Sequence, residues 1–239
     1  MARLSPQQIL AVVTSTPEYA TTGYRTGLWL GELTHFYDTV VEAGHEVTIA
    51  SIRGGLVPLD PESLSAPMLA MGGTGKRYAD REFMSLLSDT VSVGGLSADD
   101  FDAIYLTGGH GVMYDFGDPA LARLVGDFDA QGKVVAAVCH GPAGLLEARR
   151  ADGTALLAGR KVTGYSWAEE KVAHRDDAVP FRLDEELRRR GASYSRSRIP
   201  MRAKVVRDGT LITGQNPTSA TGVAEALLKA LKKQSKRQG

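Results

Sequence analysis

The chain has 239 residues, 43% of them hydrophobic and 23% charged, the composition of an ordinary soluble protein long enough to bury a substantial core. Its 28 basic and 28 acidic residues cancel, so no whole-molecule field recruits nucleic acid or anionic lipid. A single cysteine excludes an intrachain disulfide framework and a cysteine-rich zinc site, and it suits a reducing cytosol.

Ile9 to Val13 is an apolar run that reads as a buried strand closed by Ser15-Thr16-Pro17. It is too short for a signal peptide core or a membrane span, so cytoplasmic residence and no membrane partner are expected. Leu33, Phe36, Tyr37, Val40 and Val41 carry helical spacing over Leu33 to Ala43, Gly44 ends that helix, and His45 to Ser51 supplies a second strand. Strand, helix, glycine, strand is the pattern of a βαβ unit and so of a parallel sheet. Arg53 to Met71, rich in glycine and proline, reads as a long ordered loop, and Asp80 to Leu87 as a short helix.

Asp102 to Thr107 is a further strand, broken by Gly108-Gly109-His110-Gly111. Pro119 to Gln131 reads as a helix with proline in its first turn, and Lys133 to Val138 as the next strand. Ala143 to Arg150, Trp167 to Val172 and Leu183 to Arg190 are read as helices, with a short strand at Lys161 to Gly164. Asp208-Gly209 predicts a hairpin between Ala203–Val206 and Thr210–Thr213. A last helix opens at Asn216-Pro217-Thr218 and is expected to end near Lys232. No repeat or linker divides the chain, so the expectation is one domain over 1–232 and a disordered basic tail over 233–239. The fold expected is an α/β flavodoxin-like three-layer sandwich with a mostly parallel central sheet.

The lone cysteine, Cys139, lies where Val134-Val135-Ala136-Ala137-Val138 runs into Cys139-His140-Gly141-Pro142. A strand that turns sharply before a helix lifts a nucleophile above its sheet, and unpaired amides at the helix start favour a thiolate there. A lone cysteine is more often a small buried apolar residue, but an adjacent histidine and a Gly-Pro turn shift the balance to chemistry. His140 is the local base, and Glu169 and Glu170 are the local acids that can orient it. His110, after a strand and two glycines, is a candidate for lining the site, and His35 is a spare. Five histidines without a ligand motif make no metal site in sequence, leaving only a cluster assembled by folding. The basic stretches near 188–204 and 229–237 read as solvated helix faces, so no nucleic-acid partner is expected.

Ala137 to Ala143, together with Gly108-Gly109-His110-Gly111, Lys161-Val162-Thr163-Gly164-Tyr165 and Thr213-Gly214-Gln215-Asn216-Pro217, resembles the DJ-1/PfpI superfamily, specifically its Hsp31-like, glyoxalase III-like branch. That resemblance implies a Cys-His-acid triad at the edge of a parallel sheet, with Cys139 as nucleophile, His140 as its histidine and Glu170 as the acid, Glu169 being the alternative. It also implies a glutamate of the first helix beside the thiol, which is Glu32; Gly31 stands where the family usually has a second acid. Gly109, His110, Gly141 and Trp167 are the expected substrate-lining residues. The implied activity is that of a cofactor-free, glutathione-independent lyase. It would turn methylglyoxal or a related small 2-oxoaldehyde into a 2-hydroxy acid through a cysteine hemithioacetal. A homodimer is implied as well. The same branch allows a deglycase, a weak peptidase, or a stress-response holding chaperone whose cysteine senses oxidation.

Overall fold

The computed structural model describes residues 6–238, so the first five residues of the expected domain and Gly239 lie outside the described residues. In the first half the elements are β1 (Gln8–Val13), α1 (Leu30–Glu42), β2 (Glu46–Ser51), α2 (Ala66–Leu69), α3 (Thr74–Ala79), α4 (Arg81–Ser85), β3 (Val91–Ser92) and β4 (Ala103–Leu106). There follow α5 (Val112–Asp115), α6 (Pro119–Ala130), β5 (Val134–Val138), β6 (Lys161–Val162), α7 (Trp167–Ala173), α8 (Leu183–Arg189), β7 (Ser193–Tyr194), β8 (Val205–Asp208), β9 (Leu211–Gly214) and α9 (Ala220–Gln238).

Seven strands form one sheet in the order β3-β2-β1-β4-β5-β9-β8, parallel except for the β8–β9 hairpin. The inner strands β1, β4 and β5 are almost wholly buried, which is why they read as continuous apolar runs instead of alternating ones. Helices α1 and α9 pack together against the sheet, and α6 covers β4 and β5. The result is the expected flavodoxin-like three-layer α/β sandwich. In such a sheet ligands gather beyond the carboxyl ends of the strands, near the point where the strand order reverses between β1 and β4.

Four local expectations change. The helix predicted from Leu33 begins at Leu30, which brings Glu32 into its first turn. The Arg53–Met71 segment is not a continuous loop, because Pro61 and Pro67 sit in first turns, where a missing amide costs nothing. Asp60 caps the first of these by accepting from Glu62 N at 2.9 Å. No helix forms over Ala143 to Arg150; a short 3-10 turn at Gly141–Leu145 replaces it. There Gly141 packs so tightly that a Cβ would lie 2.3 Å from the Leu106 carbonyl oxygen. Finally, α9 continues through Gln238, past the expected end near Lys232.

Candidate active site

The site grows from the end of β5. Cys139 has φ of 57°, a left-handed conformation that side chains rarely adopt. Two backbone bonds hold it: its N–H donates to Gly214 O at 2.9 Å, and Tyr165 N donates to its carbonyl at 2.8 Å. The strained elbow is thus braced by β9 and by the segment leading to α7, as expected where strain serves a site.

His140 lies with Nδ1 3.4 Å from Cys139 Sγ, and its Nε2 is 2.6 Å from Glu170 Oε1. Glu170 is presented by α7, whose start is fixed by a capping box between Ser166 and Glu169. The other oxygen of Glu170 is 3.0 Å from His110 Nε2. The two imidazole rings are 4.3 Å apart, and Tyr165 packs on His140 at 4.5 Å. Glu169, the alternative acid, faces elsewhere. It accepts from Ser166 Oγ at 2.7 Å, Met201 N at 3.0 Å, Gln215 Nε2 at 2.9 Å and Asn216 Nδ2 at 2.8 Å, joining α7 to the loops around it.

Glu32 approaches from α1. Its Oε2 accepts from Gly108 N at 2.7 Å, and its carboxyl is a hydrogen-bonding neighbour of the Cys139 thiol. Its Oε1 has no regular hydrogen-bond partner. Tyr105 fixes this turn, donating its hydroxyl to Glu32 O at 3.0 Å while stacking on Phe36. Gly108 is required by the approach, because a Cβ there would lie 2.4 Å from Glu32 Oε2 and 2.8 Å from Cys139 Cβ. Gly109, with φ of 103°, lets the chain pass close to Gly27.

Burial dominates the electrostatics. It raises the Glu32 carboxyl to about 8, against lesser pulls from Cys139 and Gly108. Burial also pushes the Cys139 thiol well up, helped by Glu32. His140 is held below its ordinary value by burial, with Glu170 opposing. Burial opposes ionisation of Glu170 too, but His140 and His110, as charges and as N–H donors, outweigh it and hold the carboxyl at about 2. The expectation of a thiolate stabilised at a helix start is therefore corrected. The turn after Cys139 is too short to offer a helix dipole, and buried carboxyls adjoin the sulfur. Burial thus favours the neutral thiol and a neutral imidazole beside it.

Cys139, His140, His110 and Gly109 line one cavity of about 450 Å³. Its walls are otherwise mainly apolar: Trp29, Met68, Met71, Tyr165, Ala173, Met201 and Pro217, with Glu62, Ser65 and Thr218 at the polar positions. Gly141 and Trp167, expected on this wall, are not part of it. Gly141 is buried against Leu106, and Trp167 lies under the Arg182 guanidinium at 4.7 Å. Trp29 and Tyr165 were missed as wall residues, although Trp29 lies three positions before Glu32 and Tyr165 ends the Lys161–Tyr165 motif. The three methionines carried no signal, since their wall comes from segments distant in sequence. A larger open depression, about 720 Å³, lies between α6 and residues 147–151 and holds none of these groups.

Folding also assembles a potential metal-ligand set: one atom each of His110, His140 and Glu170, all within 4.8 Å of one another. The three are already joined by N–H···O bonds, so a cation bound there would have to displace the bridging protons. Among the described residues no helix is long and apolar enough to cross a membrane.

Comparison with known proteins places the chain among relatives of the same fold and family. Residues 27–230 match the model of the DJ-1/PfpI family. A glutathione-independent glyoxalase of Saccharomyces cerevisiae, HSP31, is 29% identical over 96% of this chain and 100% of its own length. The crystal structure of glyoxalase III from Candida albicans superposes with a TM-score of 0.84 at 26% identity, over 94% of this chain and 97% of that one. The Rapid Encystment Protein of 24 kDa from Francisella tularensis superposes with a TM-score of 0.89 at 34% identity, over 94% and 99%.

Proposed function

We propose that this chain, which belongs to the DJ-1/PfpI family and to its Hsp31, glyoxalase III-like branch, is a glutathione-independent glyoxalase. Its substrate in this reading is methylglyoxal or a related 2-oxoaldehyde, and its product a 2-hydroxy acid. One observation carries the reading. The Cys139 thiol lies 3.4 Å from His140 Nδ1, the other nitrogen of that ring meets Glu170 at 2.6 Å, and the Glu32 carboxyl, raised by burial to about 8, adjoins the sulfur, all beside a cavity of about 450 Å³.

The chemistry follows from those states. His140 Nδ1 takes the thiol proton as Sγ adds to the aldehyde carbon, and the aldehyde oxygen then receives that proton, leaving a hemithioacetal. Protonated Glu32 donates a hydrogen bond while charge develops near the sulfur, a donation its ionised form could not make. Moving the C1 hydrogen to C2 converts the adduct to a thioester of the 2-hydroxy acid. Water then cleaves the C–S bond, releasing the acid and restoring the thiol. No added cofactor is needed in this sequence, since the reaction is an internal redox exchange between adjacent carbons followed by hydrolysis.

The runner-up, a holding chaperone with Cys139 as oxidation sensor, calls for an open thiolate. Cys139 is 3% exposed and its thiol is pushed up, which favours the enzyme. The experiment is 2-hydroxy acid release from methylglyoxal without glutathione, for the wild type and Cys139→Ala. Turnover lost in the variant supports the reading. No turnover above background in the wild type, with client aggregation still suppressed by Cys139→Ala, supports the chaperone. A single domain and a cytoplasmic homodimer complete the proposal. A mass near that of one 25.5 kDa chain in light scattering at micromolar concentration would count against the dimer.

A further inference from the structure

Glu170 serves two histidines, and the chemistry just described employs only one of them. His140 and His110 both turn Nε2 toward this carboxylate, at 2.6 and 3.0 Å. Each short contact needs a proton between nitrogen and oxygen, and placing it on Nε2 leaves Nδ1 of each ring to present a lone pair. For His140 that lone pair meets the thiol at 3.4 Å. For His110 it meets nothing: Nδ1 is buried and has no hydrogen-bond partner. Yet His110 lines the cavity alongside Cys139, with its ring 4.3 Å from that of His140. A buried nitrogen left unpaired costs stability, and such an atom is expected to find its partner in a ligand.

We propose that His110 is a second catalytic base, which carries the hydrogen from C1 to C2 of the hemithioacetal while His140 serves the sulfur and the oxygens. The inference rests on the glyoxalase reading. The division of labour answers a difficulty of a single base: His140 must pass the thiol proton to the C1 oxygen before it could act again, and its ring is committed to the sulfur. In the step proposed, His110 Nδ1 removes the C1 proton. The C1–H electron pair forms the C1=C2 bond, and the carbonyl electrons move onto the C2 oxygen, giving an enediolate. His110 then returns its proton to C2, and the C1 hydroxyl proton passes through His140 to the C2 oxygen. The C1=O bond re-forms as the carbonyl of the thioester. Each histidine ends as it began, and no external oxidant or reductant enters.

The test compares wild type, His110→Gln and His110→Asn in three measurements: turnover of methylglyoxal, the isotope effect with substrate deuterated at C1, and the rate of Cys139 alkylation by iodoacetamide. The expected result is a fall in kcat of about 10²–10³-fold, a larger primary isotope effect, and alkylation within about twofold of wild type, as estimated for an undisturbed His140–Cys139 pair. A kcat within about threefold of wild type would overturn the inference while leaving the glyoxalase reading intact. So would a loss of alkylation matching the loss of turnover in both variants, since His110 would then act only by positioning Glu170 or through the fold. A wild type without turnover would overturn the glyoxalase reading and this inference with it.

Discussion

The two flanks of Cys139 carry the same functional group in opposite states. On the α1 flank Glu32 is buried with one backbone donor and a thiol as its polar company, and its carboxyl is raised to about 8. On the α7 flank Glu170 is buried almost as deeply, but two imidazole N–H groups face its two oxygens and hold it at about 2. Burial alone drives a carboxyl toward its neutral form, and paired donors reverse the outcome. Near neutral pH the site therefore holds one protonated carboxyl that can donate and one carboxylate that can only accept. Glu169, next in the chain to Glu170, shows a third use: its donors come from the surrounding framework, and it binds loops together.

The sharpest way to break the contrast is to neutralise the α7 flank. Glu170→Gln removes the acceptor that orients both histidines, and turnover of methylglyoxal should fall by about 10²–10⁴-fold. A fall of less than tenfold (about 1.4 kcal/mol) would show that the imidazoles hold their tautomers without it. Glu32→Gln keeps a neutral group of similar shape but alters the donor beside the sulfur, and a loss of about 10²-fold is expected in the same assay.

The same two variants should separate in stability against pH. Glu32 is raised in the folded state from the ordinary 4.5 to about 8, so between those values the unfolded chain has released a proton that the folded chain retains. Its contribution to stability thus declines as pH rises from about 4.5 to 8, by roughly 1.4 kcal/mol per pH unit at most. Glu170 has the opposite sign: its stabilisation is present above 4.5 and is lost as pH falls toward about 2. Urea unfolding across pH should show the neutral-range decline flattened in Glu32→Gln and the acid-side loss reduced in Glu170→Gln. Matching pH profiles for the two variants would contradict the assignment of states.

Glu169→Gln probes the framework acid. It places an amide where donors converge, and a stability loss of about 2–4 kcal/mol is expected, with kcat of the folded protein changed by less than tenfold. Urea unfolding followed by steady-state kinetics checks both parts. The smallest effect belongs to Trp167→Ala. Trp167 lies beneath Arg182 and off the cavity wall, so KM and kcat should each stay within about threefold of wild type. A larger shift in KM would return this tryptophan to the substrate's path.

Much of the frame was legible in the chain itself. The inner strands are apolar runs bounded by turn residues, Ser15-Thr16-Pro17 after β1 and glycines near the ends of β4 and β5, so all three stood out. Cys139 and His140 are consecutive at the end of such a run, and that local pattern located the elbow. Glu169 and Glu170 stood out as local acids; resemblance to a family favoured Glu170 and added Glu32, which no local spacing connects to the sulfur. The helix expected after the elbow failed because tight packing of Gly141 on Leu106 overrides the propensity of Ala143 to Ala148. Without that helix, the electrostatic argument for a resting thiolate failed as well.

By itself, then, the sequence determined the parallel α/β frame, the nucleophile and its neighbouring base, because these depend on periodicity and adjacency along one strand and turn. Only the tertiary structure decided which of two adjacent glutamates orients His140, which carboxyl stays protonated and which wall encloses the sulfur. Those outcomes depend on burial and on donors brought in from far along the chain: His110 meets Glu170 across 60 residues, and Gly108 meets Glu32 across 76. A carboxyl's charge is set by what surrounds it in space, and residue order alone does not specify that company.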